Sequence, residues 1–116
     1  MNAQERYEKF VLPDDVAKVS VVSDTKIANA VSITVEREDH TVGNLLRHQL
    51  HRDPAISFVG YKVEHPLEHK VKFQIKSKEG AEPVQCFVNA LQDLEDEVGG
   101  ILLQFCDRLG EDLPED

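Results

Sequence analysis

Alternating apolar and polar residues predict four β-strands in this chain. The period of two is clearest in residues 30–36 and 70–76, where every second side chain is apolar and those between are polar. Residues 18–22 and 56–63 are less regular apolar stretches that favour two further strands. The apolar positions that should share one face are Val31, Ile33, Val35, Val71, Phe73 and Ile75. The pattern therefore predicts a small sheet of half-buried strands.

The spacing of apolar residues changes to that of an amphipathic helix after residue 40. The apolar stripe consists of Val42, Leu45, Leu46 and Leu50, at positions i, i+3, i+4 and i+8. Either Asp39 or Thr41 can cap the start of this helix, because both side chains carry an oxygen that accepts a hydrogen bond from a backbone N–H. The helix must end by Pro54. We therefore predict a helix between the second and third strands.

A second helix is predicted from about Pro83, with apolar residues at spacings that alternate between three and four. These seam residues are Val84, Phe87, Leu91, Leu94, Val98, Ile101 and Phe105. A helix of about 26 residues would be about 39 Å long, whereas a domain of this size has a radius of gyration of about 13 Å. Part of the seam is therefore expected to contact another chain. Gly99 and Gly100 lie within it and cost about 1 kcal/mol each relative to Ala, which is enough to fray or kink an isolated helix.

Length and charge restrict the class of protein. With 116 residues, 41% apolar and 30% charged, the chain fits one domain, which we assign to residues 1–109, followed by an acidic disordered tail at 110–116. The net charge of −9 disfavours autonomous binding to nucleic acids and to anionic membranes. No apolar run is long enough to span a membrane, and the first residues do not resemble a signal peptide. We therefore expect neither a membrane protein nor a secreted one.

Several side chains could carry chemistry, but each also has a structural interpretation. His65 and His69 have a spacing that occurs in zinc sites, yet a closed site needs about four ligands and no Cys lies near this pair. Cys86 and Cys106 fall in the same predicted helix, about 30 Å apart, which is too far for an intrachain disulfide and favours a reducing compartment. The acidic residues in 93–97 are typical of a solvated helix face.

Specific catalytic signatures are absent from the sequence. It contains no Gly-rich phosphate loop, no GxSxG and no HExxH. An enzyme is therefore the less favoured class, and the sequence indicates no cofactor and no resident metal. A small metal-dependent enzyme that uses His65 and His69 is the alternative from a different class.

Residues 38–47, EDHTVGNLLR, contain an unusual helix start. Gly43 and Asn44 lie in the first turns of the predicted helix, where both have low helix propensity. Gly43 would permit close approach of another backbone, and Asn44 could hydrogen-bond to a neighbouring loop. A tolerated irregular helix start is the alternative interpretation.

This segment resembles the alpha motif of the alpha-like subunits of DNA-dependent RNA polymerases. The likeness continues through residues 60–70, GYKVEHPLEHK, which resemble the strand and turn after that motif in the small alpha-like subunit of eukaryotic polymerase II. Residues 1–3, Phe10 and the long last helix extend the resemblance over nearly the whole chain. Archaeal subunit L and the N-terminal dimerisation domain of bacterial alpha are members of the same family.

The resemblance implies an α+β, two-layer domain, with two helices on one face of a sheet of about four strands. The long C-terminal helix would form a heterodimer with the larger alpha-like polymerase II subunit. This heterodimer would be a noncatalytic, nuclear assembly platform for the second-largest subunit and for small zinc-binding subunits. The implied partner interface consists of Thr41, Gly43, Asn44, Leu45, Arg47, Phe87, Leu91, Leu94, Val98, Ile101 and Phe105.

Two positions depart from the family pattern. His48 stands where the bacterial motif has a second Arg, so the contact that this Arg makes with the beta subunit is not transferred. Gly99 and Gly100 stand where the family usually has better helix formers. Within the family, the alternative is the paralogous small subunit that RNA polymerases I and III share.

Overall fold

In the part of the chain that the structure describes, four strands and two helices follow one another in the order ββαββα. The computed structural model describes residue 12 and residues 14–110. The elements are β1 Val19–Ser23, β2 Ala30–Glu36, α1 His40–His51, β3 Ile56–Lys62, β4 Lys70–Ser77 and α2 Pro83–Leu109. The predicted α+β class and all six predicted elements are confirmed. Phe10, residues 1–3 and most of the predicted acidic tail lie outside the described residues.

The four strands form one antiparallel sheet in the order β1-β2-β4-β3. The two strands with the clearest alternation, β2 and β4, are central, and Ile33 is directly opposite Phe73. Both of these side chains are fully buried. Directly opposite residues point to the same face of a sheet, so the apolar halves of β2 and β4 form a continuous floor for the core.

Both helices pack on this floor. α1 lies mainly over β3, and α2 lies over β4 and β2. Leu46 and Leu50 of α1 are buried in the core, with Val42 packed against it. Leu45 differs from its prediction as a member of the apolar stripe, because its side chain is 53% exposed. The stripe that contacts the sheet is therefore narrower than the spacing of apolar residues predicts.

The first helix starts at a side-chain cap. Asp39 has an extended backbone, and its Oδ1 accepts a hydrogen bond from the backbone N–H of Thr41 at 2.9 Å. Of the two caps that the sequence allows, Asp39 is the one used. The carboxylate satisfies a donor that has no partner within the helix.

The last helix is continuous over 27 residues, including Gly99 and Gly100. Pro83 occupies its first turn, where a missing backbone N–H costs nothing, and Gly110 ends it in the left-handed conformation with φ of 72°. At 1.5 Å per residue the helix is about 40 Å long, whereas the eight residues of β4 extend for about 27 Å. In the part of the chain that the structure describes, no helix is both long and apolar enough to cross a membrane.

Candidate partner interface

The environment of α2 changes along its length. Its N-terminal half is anchored in the core by Pro83, Cys86, Phe87 and Ala90, all of which are buried. Beyond Leu94 the large apolar residues lose this cover, and Ile101 and Phe105 are 68% and 60% exposed, whereas Cys106 is 7% exposed. Large apolar side chains at this level of exposure, repeated along one helix, are typical of a surface that another molecule covers.

The exposed apolar residues lie mostly on one side of the helix. Successive residues are rotated by about 100°, which brings six of them within one stripe. We call this stripe the α2 apolar surface, and it consists of Leu91, Val98, Ile101, Leu102, Phe105 and Leu109. Leu103 is also exposed but points to the opposite side. Leu102 and Leu109 are not among the seam residues that the sequence predicts. Each lies one helical turn after a seam residue, Val98 or Phe105, and this spacing could have identified them.

Two of the predicted interface residues on α2 belong to the core of the chain itself. Phe87 is 4% exposed, and its ring packs on that of Phe73 with 5.6 Å between centroids. Leu94 is partly buried and packs against the same core. Phe87 therefore has no surface to offer a partner, in contrast to its prediction, because the sheet already occupies that side of the helix.

On α1, the unusual glycine contacts an aromatic ring. A Cβ atom at Gly43 would lie 2.7 Å from both Cδ2 and Cε2 of Tyr61, a residue of β3. Carbon atoms do not approach so closely, so the ring can lie against α1 only because residue 43 has no side chain. The sequence predicts close approach of another backbone at Gly43, whereas the group that approaches it is a side chain.

Other residues of the motif surround the same ring. The guanidinium of Arg47 lies 5.9 Å from the Tyr61 ring centroid, within the range of a cation–π interaction. Arg47 Nη2 donates to Asn44 Oδ1 at 3.0 Å, and His40 Nδ1 lies 3.2 Å from the Tyr61 hydroxyl. Asn44 therefore accepts a hydrogen bond from an arginine of its own helix, whereas the sequence suggested a hydrogen bond to a neighbouring loop. We call these four residues, together with Gly43, the Tyr61 cluster.

The remaining motif residues face outwards. The backbone N–H of Thr41 donates to the Asp39 cap, and the residue is exposed. Leu45 is an exposed apolar side chain on α1, two residues before Arg47. The motif therefore serves two roles: Gly43 and Arg47 fasten α1 to β3, while Thr41 and Leu45 present an outer surface.

The candidate metal and nucleophile residues do not assemble into a site. Among residues 12 and 14–110, no three His, Cys, Asp or Glu side chains converge as metal ligands would. Nδ1 of His65 accepts a hydrogen bond from the backbone N–H of Leu67 at 3.1 Å. Burial, together with the nearby Asp53 carboxylate, raises the pKa of the Cys86 thiol. That thiol is therefore protonated at neutral pH and is a poor nucleophile.

Residues 30–103 match the family of the RNA polymerase Rpb3/Rpb11 dimerisation domain. The chain belongs to this family.

Its relatives in this family carry consistent names. The DNA-directed RNA polymerase II subunit rpb11 of Dictyostelium discoideum is 43% identical over 109 residues, which cover 94% of this chain and 91% of the relative. A probable RNA polymerase II subunit RPB11 of Caenorhabditis elegans is 43% identical, with 84% and 80% covered. The RNA polymerase II subunit RPB11 of Schizosaccharomyces pombe is 42% identical, with 81% and 76% covered.

A solved structure has the same fold. The DNA-directed RNA polymerase subunit L of Thermoplasma acidophilum superimposes with a TM-score of 0.57 at 20% sequence identity, over 85% of this chain and all of that one. This likeness supports the α+β arrangement of a four-stranded sheet with a long last helix.

The matched dimerisation domain includes most of the surface described above. It extends from the start of β2 into the exposed half of α2, and it contains the whole Tyr61 cluster. Four residues of the α2 apolar surface fall within it, namely Leu91, Val98, Ile101 and Leu102. β1, at Val19–Ser23, lies outside the matched range.

Proposed function

We propose that this chain is the Rpb11-type subunit of RNA polymerase II and that it pairs with the larger alpha-like subunit of that enzyme through α2. The observation that carries the proposal is the α2 apolar surface, which has no cover within the described chain and has four of its six residues on the matched dimerisation domain. The relatives named above are polymerase II subunits. Their names support polymerase II over the paralogue of polymerases I and III.

Burial of the α2 apolar surface would supply the free energy of association. Full burial of one Leu, Ile or Phe side chain contributes about 1.5–3 kcal/mol, and several residues of this surface are about half exposed or more. Association also costs about 4–15 kcal/mol in lost translational and rotational freedom. A partner helix that contacts most of this stripe is therefore needed for a stable complex, as in other helix pairs.

The subunit acts in assembly and not in chemistry. As one half of a heterodimer, it supports the binding of the second-largest subunit and of small zinc-binding subunits. The outward residues of α1, Thr41 and Leu45, are candidates for those further contacts because they are exposed and lie off the core. This function places the protein in the nucleus.

Co-expression with the larger alpha-like subunit of the same organism tests this proposal. Size-exclusion chromatography with light scattering should show a 1:1 complex. Ile101→Asp places a carboxylate in the centre of the α2 apolar surface and should weaken the complex at least tenfold, because a buried unpaired charge is costly. Gln92→Asp adds the same charge to an exposed position of the same helix and should bind within twofold of wild type.

The opposite results would overturn the proposal. If the chain remains a monomer when it is co-expressed with the larger alpha-like subunit, that subunit is not its partner. A complex that Ile101→Asp leaves intact does not use the α2 apolar surface. Purification of a tagged chain from nuclear extract should recover the largest subunit of polymerase II, and recovery of polymerases I and III in its place would assign the chain to the paralogue.

A further inference from the structure

The outer face of the sheet, on the side opposite to the helices, is basic. Residues that alternate with the buried ones point to this side, and in β4 they are Lys70, Lys72, Gln74 and Lys76. Lys62 of β3 is directly opposite Lys72. Over the four strands the outward positions carry four Lys and one Glu, whereas the whole chain has a net charge of −9. Positive charge is therefore concentrated on one side of an acidic protein.

Two of these lysines repel each other within the sheet. Lys62 and Lys72 are directly opposite, and like charges in such a pair destabilise an antiparallel sheet. Glu64 compensates in part, because its Oε1 lies 3.4 Å from Nζ of Lys62 and 3.7 Å from Nζ of Lys72. Lys62, which hydrogen-bonds this carboxylate, lowers its pKa most, and Lys72 and Lys70 lower it further. One carboxylate is thus shared between two lysines, and a further carboxylate would be attracted to the same place.

An apolar hollow lies at the other end of this face. Phe58, directly opposite Lys76, and Ile27 of the β1–β2 loop are 55% and 47% exposed. With Ala30, Gln74 and Lys76 among the other lining residues, they form an open cleft of about 320 Å³. This volume is at the lower end of the range of ligand pockets. The outer face therefore combines a small apolar site with a row of lysines.

We propose that the outer face binds an extended acidic segment of a protein outside the heterodimer, with one large apolar side chain in the hollow and carboxylates at Lys72 and Lys70. We call this surface the outer-face site, and its residues are Ile27, Phe58, Lys62, Lys70, Lys72 and Lys76. The inference goes beyond the assembly function proposed above, because α2 and its apolar surface lie on the opposite side of the sheet.

The spacing along β4 defines the form of the occupant. Residues of a strand are about 3.3 Å apart, so Lys72 and Lys70 lie about 13 and 20 Å along the strand from Lys76, which lines the hollow. An extended segment has the same rise and presents alternate side chains to one side. With its apolar residue in the hollow, it would place the side chains four and six positions away over these two lysines. Acidic segments are suited to this conformation, because their charges repel one another and extend the chain.

A nucleic acid fits this face less well than an acidic protein segment does. The net charge of −9 repels a long polyanion. Proteins that bind single strands stack several bases on aromatic side chains, whereas Phe58 is the only aromatic residue at the outward positions of these four strands. A short segment with few charges and one apolar anchor matches the site better.

Fluorescence anisotropy with a synthetic peptide tests the site. The probe is a labelled peptide of nine residues with Phe at its second position, Glu at its sixth and eighth, and Ser or Thr elsewhere, titrated with the purified heterodimer. Binding should be saturable and should weaken as the salt concentration rises. Replacing Phe by Ser, or both Glu by Gln, should weaken it at least fivefold. A peptide of the same composition with Glu at its fifth and seventh positions points both carboxylates away from the sheet and should also bind at least fivefold more weakly.

Substitutions in the chain provide the matched comparison. Lys72→Glu should weaken binding of the probe at least tenfold, because it replaces attraction by repulsion, and Phe58→Ala should weaken it at least fivefold. Arg52→Glu makes the same change of charge at the exposed end of α1, on the helical side, and should bind within twofold of wild type. Lys72→Glu should not lower the Tm of the chain, since it removes the repulsion from Lys62.

Three results would overturn the proposal. The first is a probe without saturable binding, and the second is equal binding of the probe and its control peptides or equal effects of Lys72→Glu and Arg52→Glu. The third is tighter binding of a single-stranded oligouridine of nine nucleotides, which would assign the face to nucleic acid. If no heterodimer forms, the same titrations use the full-length chain alone, so the outer-face site is tested even where the proposed function is wrong.

Discussion

The contact between the Tyr61 ring and Gly43 gives the motif in α1 a physical explanation. The ring fills the space that a side chain at residue 43 would take, and Arg47 stacks over it from one turn further along the helix. His40 contacts the hydroxyl of the same tyrosine. One residue of β3 is therefore held by three positions of α1, which explains why a glycine with poor helix propensity is retained inside a helix.

Gly43→Ala should destabilise the protein. The new Cβ would meet two atoms of the Tyr61 ring at 2.7 Å, and overpacking of this kind costs about 1–3 kcal/mol. The gain in helix propensity returns only about 1 kcal/mol. We expect the free energy of unfolding of the heterodimer in urea to fall by up to about 2 kcal/mol, at fixed protein concentration.

A double-mutant cycle provides the control for this prediction. In a Tyr61→Leu background the ring is absent, so the added methyl group has room and Gly43→Ala should lose most of its cost. An equal loss of stability in both backgrounds would show that the ring is not the reason for the glycine.

At the scale of elements, α2 has two halves with different surroundings. The first half is fixed by burial on the sheet, whereas the second half has exposed apolar residues and two glycines. A Cβ atom at Gly99 or Gly100 would meet no other atom within 4 Å. Nothing in the fold of this chain therefore explains either glycine.

Replacing the two glycines should stabilise the free helix. Gly99→Ala and Gly100→Ala each remove backbone entropy from the unfolded state and should contribute up to about 1 kcal/mol. Thermal unfolding of the chain, followed by circular dichroism at 222 nm, should shift to higher temperature, most of all in the double variant. Lower stability would contradict this prediction and show that the glycines have a structural role in the free chain.

At the scale of the whole molecule, net charge and the exposed apolar surface have opposite effects on solubility. The net charge of −9 keeps copies apart at neutral pH, while the α2 apolar surface favours association. Part of the charge lies on the same helix as that surface, because α2 carries five acidic side chains and one basic one. Whether the chain stays soluble as a monomer therefore depends on pH and on the presence of a partner.

The free chain should self-associate as the pH falls towards its isoelectric point of about 4.9. Protonation of carboxylates reduces the repulsion between copies, while the apolar surface is unchanged. Light scattering between pH 7.5 and 5 should show rising mass at constant concentration. Ile101→Asp should reduce this rise, and so should the larger alpha-like subunit. A free chain that stays monomeric over the whole range would contradict the prediction.

The periodicity of apolar residues was sufficient to predict the six elements. β2 and β4 alternate cleanly because each has one buried face, and their predicted starts agree with the structure. The motif at 38–47 and the acidic helix face at 93–97 could also be predicted, since they depend on residue type and local spacing. The Tyr61 cluster could not be predicted, because Tyr61 and Gly43 are 18 residues apart and meet only when β3 lies beside α1.

The sequence by itself determined which segments are helices and strands, which side of each strand is apolar, and the family of the chain. Only the tertiary structure decided which apolar residues are covered. Phe87 and Ile101 occupy equivalent seam positions, yet one lies over the sheet and the other beyond it. Val21 and Ile33 share a face, yet only β2 has a helix above it. Periodicity orients a side chain within its own element, whereas burial depends on the neighbouring element, and that is set by strand order and helix packing.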